Sequence, residues 1–163
     1  MPDRSVIVNT SPLFYLHQID RLNLLPALYS QVTVPTAVQR ELQAGQAQGL
    51  SIPLLEQMDW VTIASANAAF LPNVTDLGEG EAEVIALGIE NPGSRLILDD
   101  ALGRSIARLY QLTCAGTLGV LVGAKQLGHI PAVLPVIQAL QQQGMWVTQS
   151  VIATILRLAG EQP

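Results

Sequence analysis

Thirteen acidic residues are spread over 163, and several stand where a strand should give way to a helix. Asp99 and Asp100 follow the apolar run Leu96-Ile97-Leu98. Asn9, Thr10 and Ser11 follow Val6-Ile7-Val8. Glu41 sits in Val-Gln-Arg-Glu-Leu, and Glu79, Glu81 and Glu83 open a long segment of helical periodicity. Oxygen donors of this kind suit hard cations such as Mg²⁺ or Mn²⁺. Such ions acidify a bound water and offset charge on a phosphoryl group. Cys114 is the only cysteine, and His17 and His129 are isolated. A Cys-based zinc site is therefore excluded, and Cys–His nucleophile chemistry has no support. No Walker A loop, dinucleotide fingerprint or Gly-x-Ser-x-Gly elbow occurs.

Each candidate also has a plain structural reading. Asp99-Asp100 suits a helix N-cap followed by a first-turn acid. Glu41 suits a solvated helix position. Glu79, with Asp76 three residues before it, has capping-box spacing. Glu81 shares a face with Ile85 and Gly88, which turns it toward the protein, whereas Glu83 falls on the outer side. Thr117 reads either as an N-cap or as a polar group facing a metal-linked water. Arg104 and Arg108 share a helix face. With Arg40 and Lys125 they form a candidate phosphate-binding strip, or simply a solvated face. His17 and His129 read as structural and Cys114 as a small core residue. Trp60 and Trp146 are expected in the core or at a partner surface.

The elements that must position these residues are short. Strands are predicted at Ser5–Asn9, Gln31–Val34, Trp60–Ile63, Arg95–Asp99 and Leu112–Ala115, from apolar and β-branched runs. Helices are predicted at Pro12–His17, at Arg21–Tyr29 with Asp20 as N-cap, and at Thr36–Ala44 with Pro35 in the first turn. Others follow at Leu50–Met58, from Glu79 through Glu90, at Ala101–Tyr110 and at Thr117–Leu127. The tail, 131–163, reads as two helices split by Gly144 and an extended Met-Trp-Val-Thr. Ala64–Thr75 reads as a mobile loop. Strands alternating with helices predict a parallel sheet with right-handed crossovers. Ligands of such sheets bind beyond the carboxyl ends of the strands, where Asn9 and Asp99 fall. The first and fourth strands are expected to be neighbours.

Bulk composition agrees. The chain is 49% hydrophobic, 13% charged and 4% aromatic, which predicts a dense aliphatic core. Its length favours a single domain over 1–163, with the helices of 131–163 part of it. The formal charge of -5 gives no global nucleic-acid footprint, so a polyanionic substrate needs a local basic strip or a bound cation. No signal peptide or membrane span is expected, which makes the cytoplasm the default location.

Five stretches in order carry a resemblance. They are Val-Asn-Thr-Ser-Pro-Leu (8–13), Val-Pro-Thr-Ala-Val-Gln-Arg-Glu-Leu (34–42), Gly-Glu-Gly-Glu-Ala-Glu-Val-Ile-Ala-Leu (78–87), Leu-Ile-Leu-Asp-Asp (96–100) and Gly-Thr-Leu-Gly-Val-Leu (116–121). Together they resemble the PIN-domain superfamily, and within it a prokaryotic subgroup related to VapC-type toxin nucleases. The resemblance implies a three-layer α/β/α sandwich around a parallel sheet of about five strands. It also implies metal-dependent cleavage of RNA by a toxin-like enzyme with a small antitoxin partner. The implied acidic sites fall on Asn9, Glu41, Glu81 and either Asp99 or Asp100. Thr10, Ser11 and Thr117 match the supporting polar positions. Many PIN nucleases carry Asp where this chain has Asn9, and a neutral first ligand implies weaker metal binding.

Two functions of different class follow. One is a Mg²⁺- or Mn²⁺-dependent ribonuclease using Glu41, Glu81, Asp99 and Asp100. The other is a non-catalytic PIN-like module that binds nucleic acid or protein. The apolar C-terminal helices favour a homodimer. A receiver domain is set aside, because its acidic pair follows the first strand rather than the fourth.

Overall fold

The structure, a computed structural model, describes residues 4–163. Five strands form one sheet: β1 (Val6–Val8), β2 (Val32–Pro35), β3 (Val61–Ala64), β4 (Arg95–Ile97) and β5 (Thr113–Ala115). Their order is β3-β2-β1-β4-β5 and every pairing is parallel. Val6, Ile7 and Val8 are all buried, as a central strand covered on both faces requires. The chain builds outward from β1 through β2 to β3. It then crosses to the other side of β1 for β4 and β5. The reversal lies between β1 and β4, which pair in register from Val6 with Arg95 to Val8 with Ile97.

Eight helices complete an α/β/α sandwich. They are α1 (Thr10–Gln18), α2 (Leu24–Tyr29), α3 (Thr36–Ala47), α4 (Glu79–Glu90), α5 (Ala101–Leu109), α6 (Thr117–Gln126), α7 (Leu134–Gln142) and α8 (Gln149–Leu158). The core is aliphatic, with Ile7, Leu13, Ile85, Leu96, Leu121 and Ile137 among its fully buried side chains. The C-terminal helices pack into it: α7 meets α1, and α8 meets α6. Among the described residues, no helix is long and apolar enough to cross a membrane.

Several local expectations are corrected. Leu50–Met58 forms only a 3-10 turn at Leu55–Gln57. Pro53 lacks a donor and biases Ile52 toward extended backbone, so no longer helix closes there. Asp20 caps no helix. It takes a left-handed φ of 55° just after α1, and α2 begins later, at Leu24. Pro35 precedes the first turn of α3 as its N-cap instead of lying inside it. The 64–75 segment is tied at its start: Glu83 accepts from Ala66 N at 3.2 Å and Glu90 from Asn67 N at 2.6 Å. A 3-10 turn follows at Ala68–Phe70.

Candidate functional site

The site grows from the end of β1. Asn9 leaves the sheet in extended conformation and is the N-cap residue of α1. Its backbone N–H donates to Ile97 O at 3.0 Å, which fastens it to β4. The side chain caps nothing. Asn9 is 2% exposed, and its Oδ1 has no hydrogen-bond partner. Leaving a buried acceptor unpaired costs about 1–3 kcal/mol, so an unpaired Oδ1 here calls for a partner.

Thr10 and Ser11, the first residues of α1, each hold a carboxylate brought from elsewhere. Thr10 Oγ1 donates to Glu41 Oε2, and Gly80 N donates to Glu41 Oε1 at 2.9 Å. Ser11 Oγ donates to Asp99 Oδ2 at 3.2 Å. Thr117 supplies two further bonds to Asp99, from its N at 2.7 Å and its Oγ1 at 2.6 Å. Asn9-Thr10-Ser11 is thus the hub joining the end of β4, the start of α6 and the middle of α3. Two glycines make the approach possible. A Cβ on Gly80 would stand 2.7 Å from both Glu41 oxygens. One on Gly116 would stand 2.8 Å from Asp99 Oδ1 and 2.9 Å from Arg104 Nη1.

The two aspartates part company. Asp99 is half-buried and turned to Ser11 and Thr117. Asp100 is exposed and caps α5, its Oδ2 accepting from Gly103 N at 2.8 Å. The cap reading therefore describes Asp100, and its carboxylate is not gathered with the others. Thr117 is fully buried and is the first residue of α6, after the N-cap Gly116, so it does not cap the helix itself. Glu81 is half-buried and folds back over Gly78, where an added Cβ would collide with its Oε2. Glu79 forms no capping box with Asp76, because α4 starts at Glu79 behind the N-cap Gly78. Glu83 corrects an outer-side assignment. Its Oε1 accepts from Thr36 Oγ1 at 2.9 Å and Ala37 N at 2.7 Å, so it satisfies the first turn of α3.

The basic strip does not assemble. Lys125 is half-buried and paired with Glu161 at 2.9 Å. Arg40 is exposed, 3.8 Å from Glu79. Arg108 is exposed on α5. Arg104 alone faces the site: it is half-buried and lines a groove with Ser11 and Asp99. Cys114 lines that groove too and is half-buried, not fully within the core. Burial pushes its thiol pKa up, against the pull of Arg104 and Arg108. His17 Nε2 and Ser51 Oγ share a hydrogen bond at 3.0 Å, while His129 is exposed. Trp60 packs partly on the core and Trp146 stands in solvent.

The donor chemistry fits a hard divalent ion, since every polar side chain gathered at the hub offers oxygen, and one buried oxygen lacks a partner. A ready-made cage is another matter: the described residues contain no group of three or more Asp, Glu, His or Cys placed to hold a metal. The glycines and Glu83 were not legible as site or support residues beforehand. The only signal was the dense Gly-Glu-Gly-Glu-Ala-Glu run at the start of α4.

The chain belongs to the PIN-domain family, whose model matches residues 5–161. No curated protein matches the chain. PIN domains are in general nuclease-type domains that use divalent metals.

Proposed function

We propose that this protein is a metal-dependent ribonuclease, related to the VapC-type toxins and acting as the toxin-like member of a toxin–antitoxin pair. The observation that carries this reading is the joining of Glu41 and Asp99 through Thr10 and Ser11, beside the unpartnered Asn9 amide oxygen. Asn9, Glu41, Glu81 and Asp99 are the residues that would hold Mg²⁺ or Mn²⁺. When bound, the ion acidifies a water and offsets charge on the scissile phosphate.

The chain's own groups divide the remaining work. A carboxylate offers about four lone-pair sites. Asp99 spends three on Ser11 and Thr117, which fix its orientation. Glu41 spends two, on Thr10 and Gly80, and keeps more capacity to accept a proton. Glu41 is therefore assigned as general base and Asp99 as the fixed ligand. Arg104, half-buried beside Asp99, holds the phosphate chain. A small antitoxin, a homodimeric state and a cytoplasmic setting belong to the same reading.

Separate substitutions test it. E41Q and D99N should each lower Mn²⁺-dependent cleavage of single-stranded RNA by about 10²- to 10⁴-fold, the usual worth of a positioned acid–base group. D100A should keep cleavage and lose only about 0.5–2 kcal/mol of stability with its cap. Undiminished cleavage by a clean preparation of D99N would overturn the assignment.

A second reading has its own support. Asn9 carries no charge, and the described residues show no three-member acidic cluster. Both favour a non-catalytic module that binds RNA or protein. In that case calorimetry should detect no Mn²⁺ binding at millimolar metal, and N9D should create the binding that the native chain lacks.

A further inference from the structure

The groove that begins at Asp99 does not end at the carboxylates. It has a volume of about 750 Å³ and is lined by Ser11, Asp99 and Arg104 and also by Trp146. Val151, Ile155 and Leu158 of α8 give it an apolar wall. That volume lies within the range of about 300–1,000 Å³ found for small-ligand sites. Trp146 sits in the segment between α7 and α8 and is 86% exposed. Tryptophan is ordinarily among the more buried residues, so an indole presented to solvent on a groove rim is unusual.

The same lining holds a half-buried cation, Arg104. The described residues form two ion pairs, Arg40–Glu79 and Lys125–Glu161, so Arg104 has no carboxylate within ion-pair distance. Gly116 leaves room for Arg104 Nη1 and Asp99 Oδ1 on either side of one backbone position. An apolar peptide filling this groove would bury the guanidinium with no added counter-charge, which is costly. A nucleotide meets both features: its phosphate suits the planar guanidinium, and its base suits an aromatic face against an aliphatic wall.

We propose that this groove is a subsite for one unpaired nucleotide of an RNA strand, with Trp146 stacking on the base and Arg104 receiving the phosphate. The proposal rests on the ribonuclease reading and adds to it the residues that would contact one base and its phosphate. A duplex keeps its base faces stacked and cannot offer one to Trp146. Trp146 is a specificity-determining residue in this scheme and takes no part in bond cleavage.

Binding and cleavage are measured side by side on the full chain. The probe for binding is a fluorescein-labelled RNA octamer, followed by anisotropy with Ca²⁺ in place of Mn²⁺. W146A should weaken binding about 5- to 150-fold, the span of base–aromatic stacking. W146F should stay within a few-fold of the native chain. W146L should weaken binding as W146A does, because leucine is apolar but has no π face. R104Q should weaken binding too, and the same octamer annealed to its complement should bind without regard to Trp146. The core contains no part of the exposed indole, so these variants should fold normally. Native-like RNA binding by W146L shows that no π face is needed at this position and overturns the proposal. Native-like binding by W146A, or no RNA binding by the native chain, overturns it as well. Cleavage that survives alongside Trp146-independent binding leaves the ribonuclease reading intact and discards the subsite. Trp146-dependent binding without any cleavage does the reverse.

Discussion

Gly80 occupies the point where Glu41 needs room. Its N–H donates to Glu41 Oε1, and its missing side chain leaves space for the whole carboxylate. An alanine there must displace Glu41 or shift α4, with an overpacking cost of about 1–3 kcal/mol. Gly45, in α3, makes the control, because a Cβ there would meet only Leu50 and Ile52, at ordinary contacts of 3.5 and 3.7 Å. G45A should gain about 0.5–1 kcal/mol from helix propensity. Thermal melts should therefore move in opposite directions, down for G80A and up for G45A, with RNA cleavage lost only in G80A. A G80A protein as stable and active as the native chain would show that Glu41 is not confined as described. The same scale explains why Asp99 and Asp100 could not be separated in the sequence. Both follow the same apolar run. Their directions depend on a partner three residues ahead for Asp100 and on Thr117, across the neighbouring strand, for Asp99.

Elements were legible where the pattern was local, and less so where a side chain from elsewhere completes them. All five strands stand within a residue or two of the runs that announce them, because a short apolar or β-branched run bounded by turns is a local signal. The sequence around Glu83 does not show its role, because its work is done on another helix, at the start of α3. Lys125 reads as a phosphate ligand for the same reason: Glu161, its partner, lies 36 residues away. Glu161 closes the tail by accepting also from Val133 N at 2.7 Å and Leu134 N at 3.5 Å, at the start of α7. Burial works against its ionised form, but these bonds and Lys125 outweigh it, and its pKa lies below the usual value of 4.5. The sign follows directly. A depressed folded-state pKa gives stability that is present above the unfolded value and is lost as pH falls through the folded one. The α7–α8 tail should therefore loosen as pH drops below about 4.5 and through the lower folded-state pKa of Glu161. Amide protection in α7, corrected for the intrinsic exchange rate, should fall over that window in the native chain. In E161Q protection should already be lower at neutral pH and change little with acid.

For the whole molecule, the sheet order sets the site and the charge limits what it can hold. Placing β1 beside β4 brings Asn9 and Asp99 to one edge, an arrangement that the alternation of strands and helices was enough to suggest. The distribution of charge was not legible in that way, since ion pairing depends on tertiary contact. Of eight basic residues in a chain of net charge -5, the proposed strip retains only Arg104 and Arg108 outside ion pairs. RNA binding should accordingly depend little on salt. Each phosphate neutralised on a single strand contributes about -0.7 to the slope of log K against log salt, so two arginines predict a slope near -1.4. R108Q should roughly halve that slope and leave Trp146 dependence intact, because Arg108 is exposed and lies outside the groove lining. A native slope much steeper than this would mean that cations beyond these two contact the strand. A homodimer, which brings a second copy of the same basic residues to one RNA, would produce that result, and the slope would then fall with dilution below the dimer dissociation constant.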